Sequence, residues 1–278
     1  MINGGRTDLA VESAQSGGSL PNGVTLEKER HNGAVVETVQ VTSMAGAAAL
    51  QKPIGQYITV YLKELSANTY NPDEAWTELL ANKIRPLLPC DSRSPVLVVG
   101  MGNRNITADS IGPLTTEKLL VSRHIVRLLP NALPQSARSV CALSPGVLGE
   151  TGMETGEIVR ALVNATHAGS VIAIDALAAR DPVRLCTTIQ ISNAGIAPGA
   201  GVGNNRPALT KDSIGVPVIA IGVPTVVCVP MEETETELVV TPKDIDVIAQ
   251  RCADLIANAV NRSVHSKAVL EELQTLLS

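Results

Sequence analysis

The 278-residue chain is 45% hydrophobic and 18% charged, a composition that predicts a folded protein with a sizeable core and not a disordered one. Its 22 basic and 27 acidic residues give a net charge of −5, which argues against a surface that binds nucleic acid directly. One Trp, three Tyr and no Phe leave few aromatic platforms for a sugar or a base. No apolar run reaches the roughly 18 residues that a membrane span needs, so we expect no membrane partner.

The cysteines are scattered and odd in number, at positions 90, 141, 186, 228 and 252, and no CxxC pair occurs. Such usage is typical of a reducing compartment, where thiols stay unpaired. Residues 1–18 also lack the apolar segment of a signal peptide. The sequence therefore predicts a cytoplasmic protein.

Residues 1–24 are rich in Gly, Ser and Asn and predict a mobile N-terminal arm, interrupted by the patch Arg6–Glu12. We expect residues 25–278 to form a single α/β domain. A β-rich part at about residues 34–62 belongs to it, since apolar and polar side chains alternate along 57–62 as they do in antiparallel strands. Asn71-Pro72-Asp73 then predicts the start of a helix, and Pro86 predicts its end.

From residue 95 onward, three short apolar runs predict strands that are buried on both faces of a parallel sheet. They are Pro95–Gly100, Ser170–Asp175 and Val216–Gly222. Helical patterns alternate with them, and the spacing Thr151-x-x-Glu154 predicts a capping box before a helix that ends at His167. Thr241-Pro242 predicts the cap and first residue of a long helix. The buried stripe of that helix is expected to be Ile245, Ile248, Cys252, Leu255 and Ile256.

This alternation of strands and helices predicts an α/β fold. We expect a mostly parallel, twisted sheet flanked by helices, phosphorylase/hydrolase-like, with a smaller N-terminal antiparallel β unit. In open sheets of this kind, ligands bind beyond the carboxyl ends of the strands. The functional site is therefore expected in the loops that follow the predicted strands.

Two aspartates follow predicted strands. Asp109 lies in the loop Gly100–Pro113, where it could instead cap the helix that begins near Pro113. Asp175 ends a buried apolar strand, where a carboxylate is costly unless it has a partner or a function. If the two converge, their repulsion raises one pKa, and the pair can activate a water and protonate a leaving amine. Spacing alone does not exclude two alternatives. Asp109 could cap a helix, and Asp175 could be a polar residue of the core.

The residues predict neither a cofactor nor a metal ion. No Walker loop, HExxH or GxSxG motif occurs, and Gly100-x-Gly102 lacks the third glycine of a dinucleotide fingerprint. The four histidines are far apart in the sequence. Two Gly-rich segments, Ser144–Gly149 and Gly195–Asn205, are expected to shape the cleft as turns or as backbone that lines it.

A series of segments from about residue 6 to residue 230 resembles one peptidase family. The segments are Arg6–Glu12, Gly100–Pro113, Ala142–Gly149, Asp175–Arg180, Thr187–Ser192, Gly201–Asn204 and Gly215–Val227. Together, and in this order, they strongly resemble the germination protease of spore-forming bacteria. The resemblance implies an endopeptidase that degrades small, acid-soluble spore proteins during germination, in the cytoplasm of the spore core. It also implies a homotetramer, a zymogen that processes itself near the N-terminus, and one peptidase domain similar in fold to the hydrogenase-maturation peptidases.

The same resemblance assigns roles to residues. The two proposed catalytic aspartates of the family match Asp109 and Asp175, with Asp175 as the base toward water, or the reverse. The family cuts between an acidic and a hydrophobic residue that Ala follows, which fits Asp8-Leu9-Ala10 and predicts a propeptide of residues 1–8. An acidic side chain before the cut needs a cation or several donors to bind it. The candidates are Arg180, Arg206 and Lys211.

Two other functions stay open. The family is grouped with aspartic-type peptidases but has also been classed among metalloendopeptidases. A metal-dependent peptidase of the hydrogenase-maturation kind would need a histidine near the site, and the sequence offers no obvious one. A non-catalytic α/β module that binds a nucleotide would need the phosphate motifs that are missing here. The sequence favours the spore peptidase over both.

Overall fold

The computed structural model describes residues 5–31, 33–66, 74–91, 94–129, 131–197, 206–230 and 237–277. The strands in these residues are β1 (Val24–His31), β2 (Ala34–Val41), β3 (Gly55–Tyr61), β4 (Val96–Gly100), β5 (Val140–Leu143), β6 (Ser170–Ala179), β7 (Thr188–Ser192), β8 (Val218–Pro230) and β9 (Glu237–Val240). The helices are α1 (Ala10–Gln15), α2 (Met44–Leu50), α3 (Glu74–Ile84), α4 (Ile111–Glu117), α5 (Arg123–Leu128), α6 (Leu148–Thr151), α7 (Thr155–Thr166), α8 (Lys211–Ile214), α9 (Ile245–Val264) and α10 (Lys267–Leu277).

Within the described residues, the nine strands form one sheet in the order β1-β2-β3-β7-β8-β6-β4-β5, and β9 pairs with β8. The neighbours β5, β4, β6 and β8 run parallel. The neighbours β1, β2, β3 and β7 are antiparallel, and β7 joins them to β8. The predicted α/β fold with its N-terminal antiparallel unit is confirmed, and that unit is the other half of the same sheet.

The three predicted parallel strands are confirmed as β4, β6 and β8, but two of them extend further than expected. β6 continues to Ala179 and β8 to Pro230. The two strands stay paired through a register shift between Leu177 and Ala178. In contrast, β4 ends at Gly100, opposite Ile174. Beyond that point β6 has lost its β4 neighbour, which leaves one edge of β6 to be covered by another segment.

Helices cover both faces of the sheet. α3, α4 and α9 pack on one face, against side chains that include Ile58, Ile174 and Ile221. The predicted buried stripe of α9 is confirmed at all its positions: Ile245, Ile248, Cys252, Leu255 and Ile256. On the opposite face, α1 and α2 cover the antiparallel half, and α7 and α8 cover the parallel half. No helix in the described ranges is long and apolar enough to cross a membrane.

Two predicted helix starts are wrong because the proposed cap residues have other partners. α7 begins at Thr155, and the N–H of Glu154 lies 3.2 Å from the carboxylate of Glu157, so the cap does not involve Thr151. α9 begins at Ile245, because the Thr241 hydroxyl donates to the carbonyl of Thr225 at 2.8 Å. Two other boundaries agree with the prediction: α7 ends before His167, and α3 ends before Pro86. The start predicted at 71–73 lies outside the described residues.

The prediction of a mobile arm over residues 1–24 is wrong for residues 9–15. Ala10–Gln15 form α1, and Leu9, Ala10 and Val11 are fully buried. They pack in a cluster that includes Val39 and Tyr57. The Gly and Ser residues on either side dominate the composition of the segment, whereas this short apolar patch decides its structure.

Candidate active site

The loop after β4 folds tightly and carries Asp109 to the carboxyl end of the parallel strands. A Cβ at Gly100 would lie 2.2 Å from the carbonyl oxygen of Gly112, so only glycine allows this close approach of β4 to α4. Gly102 has a φ of +106°, a left-handed conformation that L side chains rarely adopt. The carboxylate of Asp109 accepts the N–H of Asn103 at 2.8 Å and caps no helix through its side chain. The loop therefore holds Asp109 in place for another role.

Asp175 lies within β6 and not at its end, which corrects the prediction from the sequence. It pairs in register with Gly222 of β8, and only 5% of its surface is exposed. It is also the first residue of β6 beyond the end of β4. Its carboxylate accepts the N–H of Ala176 at 3.0 Å. The end of the neighbouring strand, and not the end of its own, places Asp175 beside the loop that holds Asp109.

The two aspartates line one pocket of 280 Å³, which is the convergence that the sequence had left open. Burial raises the pKa of Asp175 well above 3.8, and the neighbouring carboxylates of Asp109 and Asp8 raise it further. Burial also raises the pKa of Asp109, while the N–H of Asn103 and the charge of Arg206 act in the opposite direction. The two carboxylates can therefore share one proton, and the directions of the two shifts favour Asp175 as the group that holds it.

Residues 5–10 of the N-terminal arm run through this site. Asp8 pairs with Ala178 of β6 twice: its N–H donates to the Ala178 carbonyl at 2.9 Å, and its carboxylate accepts the Ala178 N–H at 2.8 Å. Lys52 donates to the carbonyl oxygen of Thr7 at 3.0 Å. Asp8 lines both the 280 Å³ pocket and an adjoining cavity of 140 Å³. The arm thus covers the edge of β6 that β4 leaves, and it divides one longer cleft into two.

The three basic residues that were expected to bind an acidic side chain lie in three different places in the structure. Arg206 lines the pocket together with both aspartates. Arg180 lies further along the arm, where its side chain donates to the carbonyl oxygen of Gly5 at 3.0 Å. Lys211 begins α8, is exposed, and lies outside the lining of both cavities. Among the Gly-rich segments, Gly146 and Gly195 line the cleft, whereas residues 198–205 lie outside the described residues.

Two residues that the sequence did not single out contact the arm beside Asp8. Lys52 follows α2, and burial lowers the pKa of its ammonium while the carboxylates of Asp8 and Glu12 act to raise it. Gln190 of β7 donates to the carbonyl oxygen of Asp8 at 3.2 Å and accepts the N–H of Ala10 at 2.8 Å. A buried glutamine between Ile189 and Ile191 was the visible sign of the second residue. No three His, Cys, Asp or Glu side chains in the described ranges are arranged to hold a metal ion.

Comparison with known proteins decides the family. The germination protease family matches residues 7–236 of this chain. The germination protease of Clostridium tetani is 36% identical over 98% of this chain and 99% of its own length. This chain belongs to the germination protease family. The resemblance stated from its motifs is thereby confirmed, and the chain is a hydrolase of the endopeptidase kind.

Other germination proteases give the same result. That of Caldanaerobacter subterraneus is 37% identical over 100% of this chain and 99% of its own length. That of Bacillus subtilis is 43% identical over 80% of this chain and 63% of its own length. Among solved structures, the [NiFe] hydrogenase maturation protease HycI from Thermococcus kodakarensis covers 61% of this chain and 94% of its own, with 19% identity and a TM-score of 0.33. Asp8, Asp109, Asp175 and Gln190 all lie inside the range that the family matches.

Proposed function

We propose that this protein is an aspartic-type endopeptidase that cleaves small, acid-soluble spore proteins in the cytoplasm of the germinating spore core. Asp109 and Asp175 are its catalytic pair. The observation that carries the proposal is the pocket itself. It brings together one buried and one half-buried carboxylate, both with raised pKa values, and a peptide segment that is hydrogen-bonded alongside them. The family and the chemistry of the pocket agree on a reaction in which a peptide bond is hydrolysed.

The shared proton sets the roles of the two aspartates. Asp109, ionised, takes a proton from the attacking water, and Asp175, protonated, gives its proton to the leaving nitrogen. This is the second of the two assignments that the sequence left open. It is favoured because burial and two neighbouring carboxylates all act to keep the proton on Asp175. General acid and base catalysis of this kind contributes about 10²–10⁴-fold to the rate.

The N-terminal arm is the enzyme's own first substrate. Asp8-Leu9-Ala10 has the acidic, hydrophobic and small residues in the order that the family resemblance implies for the cut. Asp8 lines the pocket with both catalytic aspartates, and tethering gives the segment a high effective concentration there. Cleavage between Asp8 and Leu9 releases residues 1–8 as a propeptide. Until then the arm occupies the cleft and makes the chain a zymogen.

Lys52 and the N–H of Ala178 recognise the acidic side chain that precedes the cut. The carboxylate of Asp8 accepts that N–H at 2.8 Å, and its charge acts on the Lys52 ammonium. Lys52 also holds the preceding carbonyl, that of Thr7. A charge-assisted contact of this kind distinguishes a carboxylate from a neutral side chain. Arg206 faces the catalytic pair, where its charge stabilises the ionised carboxylates.

The assembly is a homotetramer, as the family resemblance implies. Exposed apolar side chains on β9, at Leu238, Val239 and Val240, support an interface there. Light scattering on the purified protein should give four times the mass of one chain. A monomer under all conditions would contradict this part of the proposal.

Processing is tested by the intact mass of the purified, unprocessed chain as it activates. The wild-type chain should lose residues 1–8 and then begin at Leu9. Asp8→Lys should block the cut, because it removes the carboxylate and places a second cation beside Lys52. Asp212→Asn, on the exposed α8, is the matched control and should be processed normally. A mature N-terminus elsewhere, or processing that persists in purified Asp175→Asn, would contradict the proposal.

A further inference from the structure

We propose that Gln190 is a third catalytic residue, which stabilises the negative charge that develops on the oxygen of the peptide bond being cut. This inference rests on the proposed function, because it takes Asp8–Leu9 as that bond. The side-chain amide of Gln190 donates to the carbonyl oxygen of Asp8, the oxygen that becomes negative when water attacks. A fixed donor aimed at such an oxygen is the essential part of an oxyanion hole.

The contacts of Gln190 fix the peptide on both sides of the bond. Nε2 lies 3.2 Å from the Asp8 carbonyl oxygen, and Oε1 accepts the N–H of Ala10 at 2.8 Å. Because the Ala10 contact orients the amide, its N–H₂ group points at Asp8. Only 8% of Gln190 is exposed, so water competes little for the donor. Under those conditions a hydrogen bond to a developing charge contributes more than it does in water.

The register of the sheet places Gln190 opposite the catalytic pair. Gln190 of β7 pairs with Gly222 of β8, and Gly222 pairs with Asp175 of β6. Residues that are paired across strands project from the same face, and neighbouring strands lie about 4.8 Å apart, so the backbones of Gln190 and Asp175 lie about 10 Å apart. The residue between them is Gly222, and the side chain of Leu177 lies over it: a Cβ at Gly222 would come within 2.4 Å of Leu177 Cδ1. Leu177 lines both cavities together with Asp8.

Asp8 borders both cavities. It lines one cavity together with Gln190 and Gly222, and the other together with Asp109 and Asp175. The residue before the bond, Asp8, therefore has the amide donor of Gln190 on its carbonyl oxygen and shares a pocket with the carboxyl pair. This two-sided arrangement is what hydrolysis of an unactivated amide requires, because one side must supply protons while the other side holds the oxygen.

The step balances with water as the only co-reactant. Water attacks the Asp8 carbonyl carbon and passes one proton to the ionised carboxylate, while the carbonyl electron pair moves onto the oxygen that Gln190 holds. The carbonyl then re-forms, the bond to the Leu9 nitrogen breaks, and that nitrogen takes the proton of the other carboxyl group. A bond to a charged oxygen is shorter and stronger than one to a neutral carbonyl, so the 3.2 Å contact tightens in the transition state.

The test follows the first-order rate of self-processing in Gln190→Met, which keeps the length of the side chain and removes the donor. The rate should fall about 10²–10³-fold, the cost of losing one oxyanion donor. Thr188→Val is the matched control. It lies two residues away on the same strand and face, it is fully buried, and its hydroxyl has no hydrogen-bond partner among the described residues. That variant should process at the wild-type rate, and circular dichroism should show both variants folded.

A second variant separates catalysis from a structural role and decides the question if Gln190→Met fails to fold. Gln190→Glu has the same shape but donates only when it is protonated. Its processing should be slow at neutral pH and should recover, relative to wild type, as the pH falls. A purely structural glutamine would give no such recovery.

Processing of Gln190→Met within threefold of wild type, or a Gln190→Glu profile parallel to wild type, would overturn the inference. If Asp175→Asn were still inactive in that event, the proposed function would stand without Gln190. If instead the wild-type chain were cut elsewhere than between Asp8 and Leu9, the proposed processing site itself would fail.

Discussion

Two cavities lie at opposite ends of the parallel strands, and the proposed active site is the smaller one. The cavity at the amino ends of β4 and β5 measures 880 Å³ and is lined by Leu88, Arg138 and the junction of α9 with α10. The pocket at the carboxyl ends measures 280 Å³. The largest cavity is ordinarily the first choice for a ligand site. Here the charges along the larger one neutralise each other, as in the 2.9 Å pair of Arg262 with Glu74, whereas the smaller one holds two carboxylates with raised pKa values.

The two ends also hold a buried titratable group each, and the groups shift in opposite directions. Burial raises the pKa of Asp175, and burial next to Arg138 lowers the pKa of His265 from 6.5 to about 4. Both shifts favour the neutral form of the buried group. At the carboxyl end the pocket also contains Asp8 of the arm, on which the proposed chemistry would act. At the amino end the neutral ring has no hydrogen-bond partner among the described residues and only packs.

The largest expected effect is on catalytic activity, and it tests the contrast between the two ends of the sheet. Asp109→Asn and Asp175→Asn should each slow cleavage of a small, acid-soluble spore protein by about 10²–10⁴-fold, because each amide can neither take nor give the proton. Glu271→Gln makes the same chemical change in the lining of the larger cavity and should leave the rate unchanged. Initial rates from gel or mass analysis measure both. A large loss of activity in the Glu271 variant would indicate that catalysis takes place at the other end of the sheet.

A smaller effect is expected within the cleft itself. Lys52→Met removes the hydrogen bond to Thr7 and the charge near Asp8, and it should slow processing about 10–100-fold, as expected for a hydrogen bond to a charged group. The loss should shrink in chains that also carry Asp8→Asn. Lys211→Met, which changes a lysine outside the cleft, should have no effect. Equal losses in the two lysine variants would show that Lys52 does not read the acidic residue.

The smallest expected effect is on stability. The direction in which stability changes with pH differs between the two ends of the sheet. Above about pH 4 the folded chain keeps a proton on Asp175 that the unfolded chain releases, so stability falls as the pH rises through this window. Asp175→Asn should therefore raise the melting temperature relative to wild type, and more so at pH 8 than at pH 4. Each kcal/mol of gain corresponds to roughly 2–4 °C. Thermal unfolding at several pH values measures it.

For His265 the unfolded chain binds the additional proton, between pH 6.5 and about 4, so stability falls as the pH drops through that window. His265→Gln should flatten the acid side of the stability profile. A profile with the same acid slope in both proteins would show that His265 titrates normally in the folded chain.

Local patterns predicted the parallel strands and placed Asp109 and Asp175 after strands, where the two could converge, because strand burial and strand-end loops leave a direct mark on the sequence. The ends of β6 and α9 were misplaced for a shared reason. Whether a strand continues past Asp175, or whether Thr241 caps a helix, depends on partners that are distant in the sequence, namely β8 and Thr225. The prediction of a mobile arm was wrong because the composition of the whole segment hides a short apolar patch that folds.

The position of Gln190 between Ile189 and Ile191 marks it as unusual, but its role and that of Lys52 could not have been assigned from their own surroundings in the sequence. Their importance comes from register: Gln190 lies across Gly222 from Asp175, and the three residues are separated by 15 positions or more along the chain. Lys52 reaches the site from the loop after α2, a helix that carries no catalytic motif. In contrast, Arg180 was singled out because it follows Asp175 closely, yet the strand carries it away from the pocket and toward Gly5.

The burial of Leu9 has a kinetic consequence. Leu9 is fully buried, and the hydrogen bond from Ala10 to Gln190 does not involve the bond that is proposed to be cut. After the cut, the new chain end therefore still fills the half of the cleft that a second peptide must enter. Re-exposing a leucine costs about 1.5–3 kcal/mol, so its withdrawal is a separate step with its own rate. The change in mass should precede the onset of activity toward other chains, and a time lag should separate maturation from turnover.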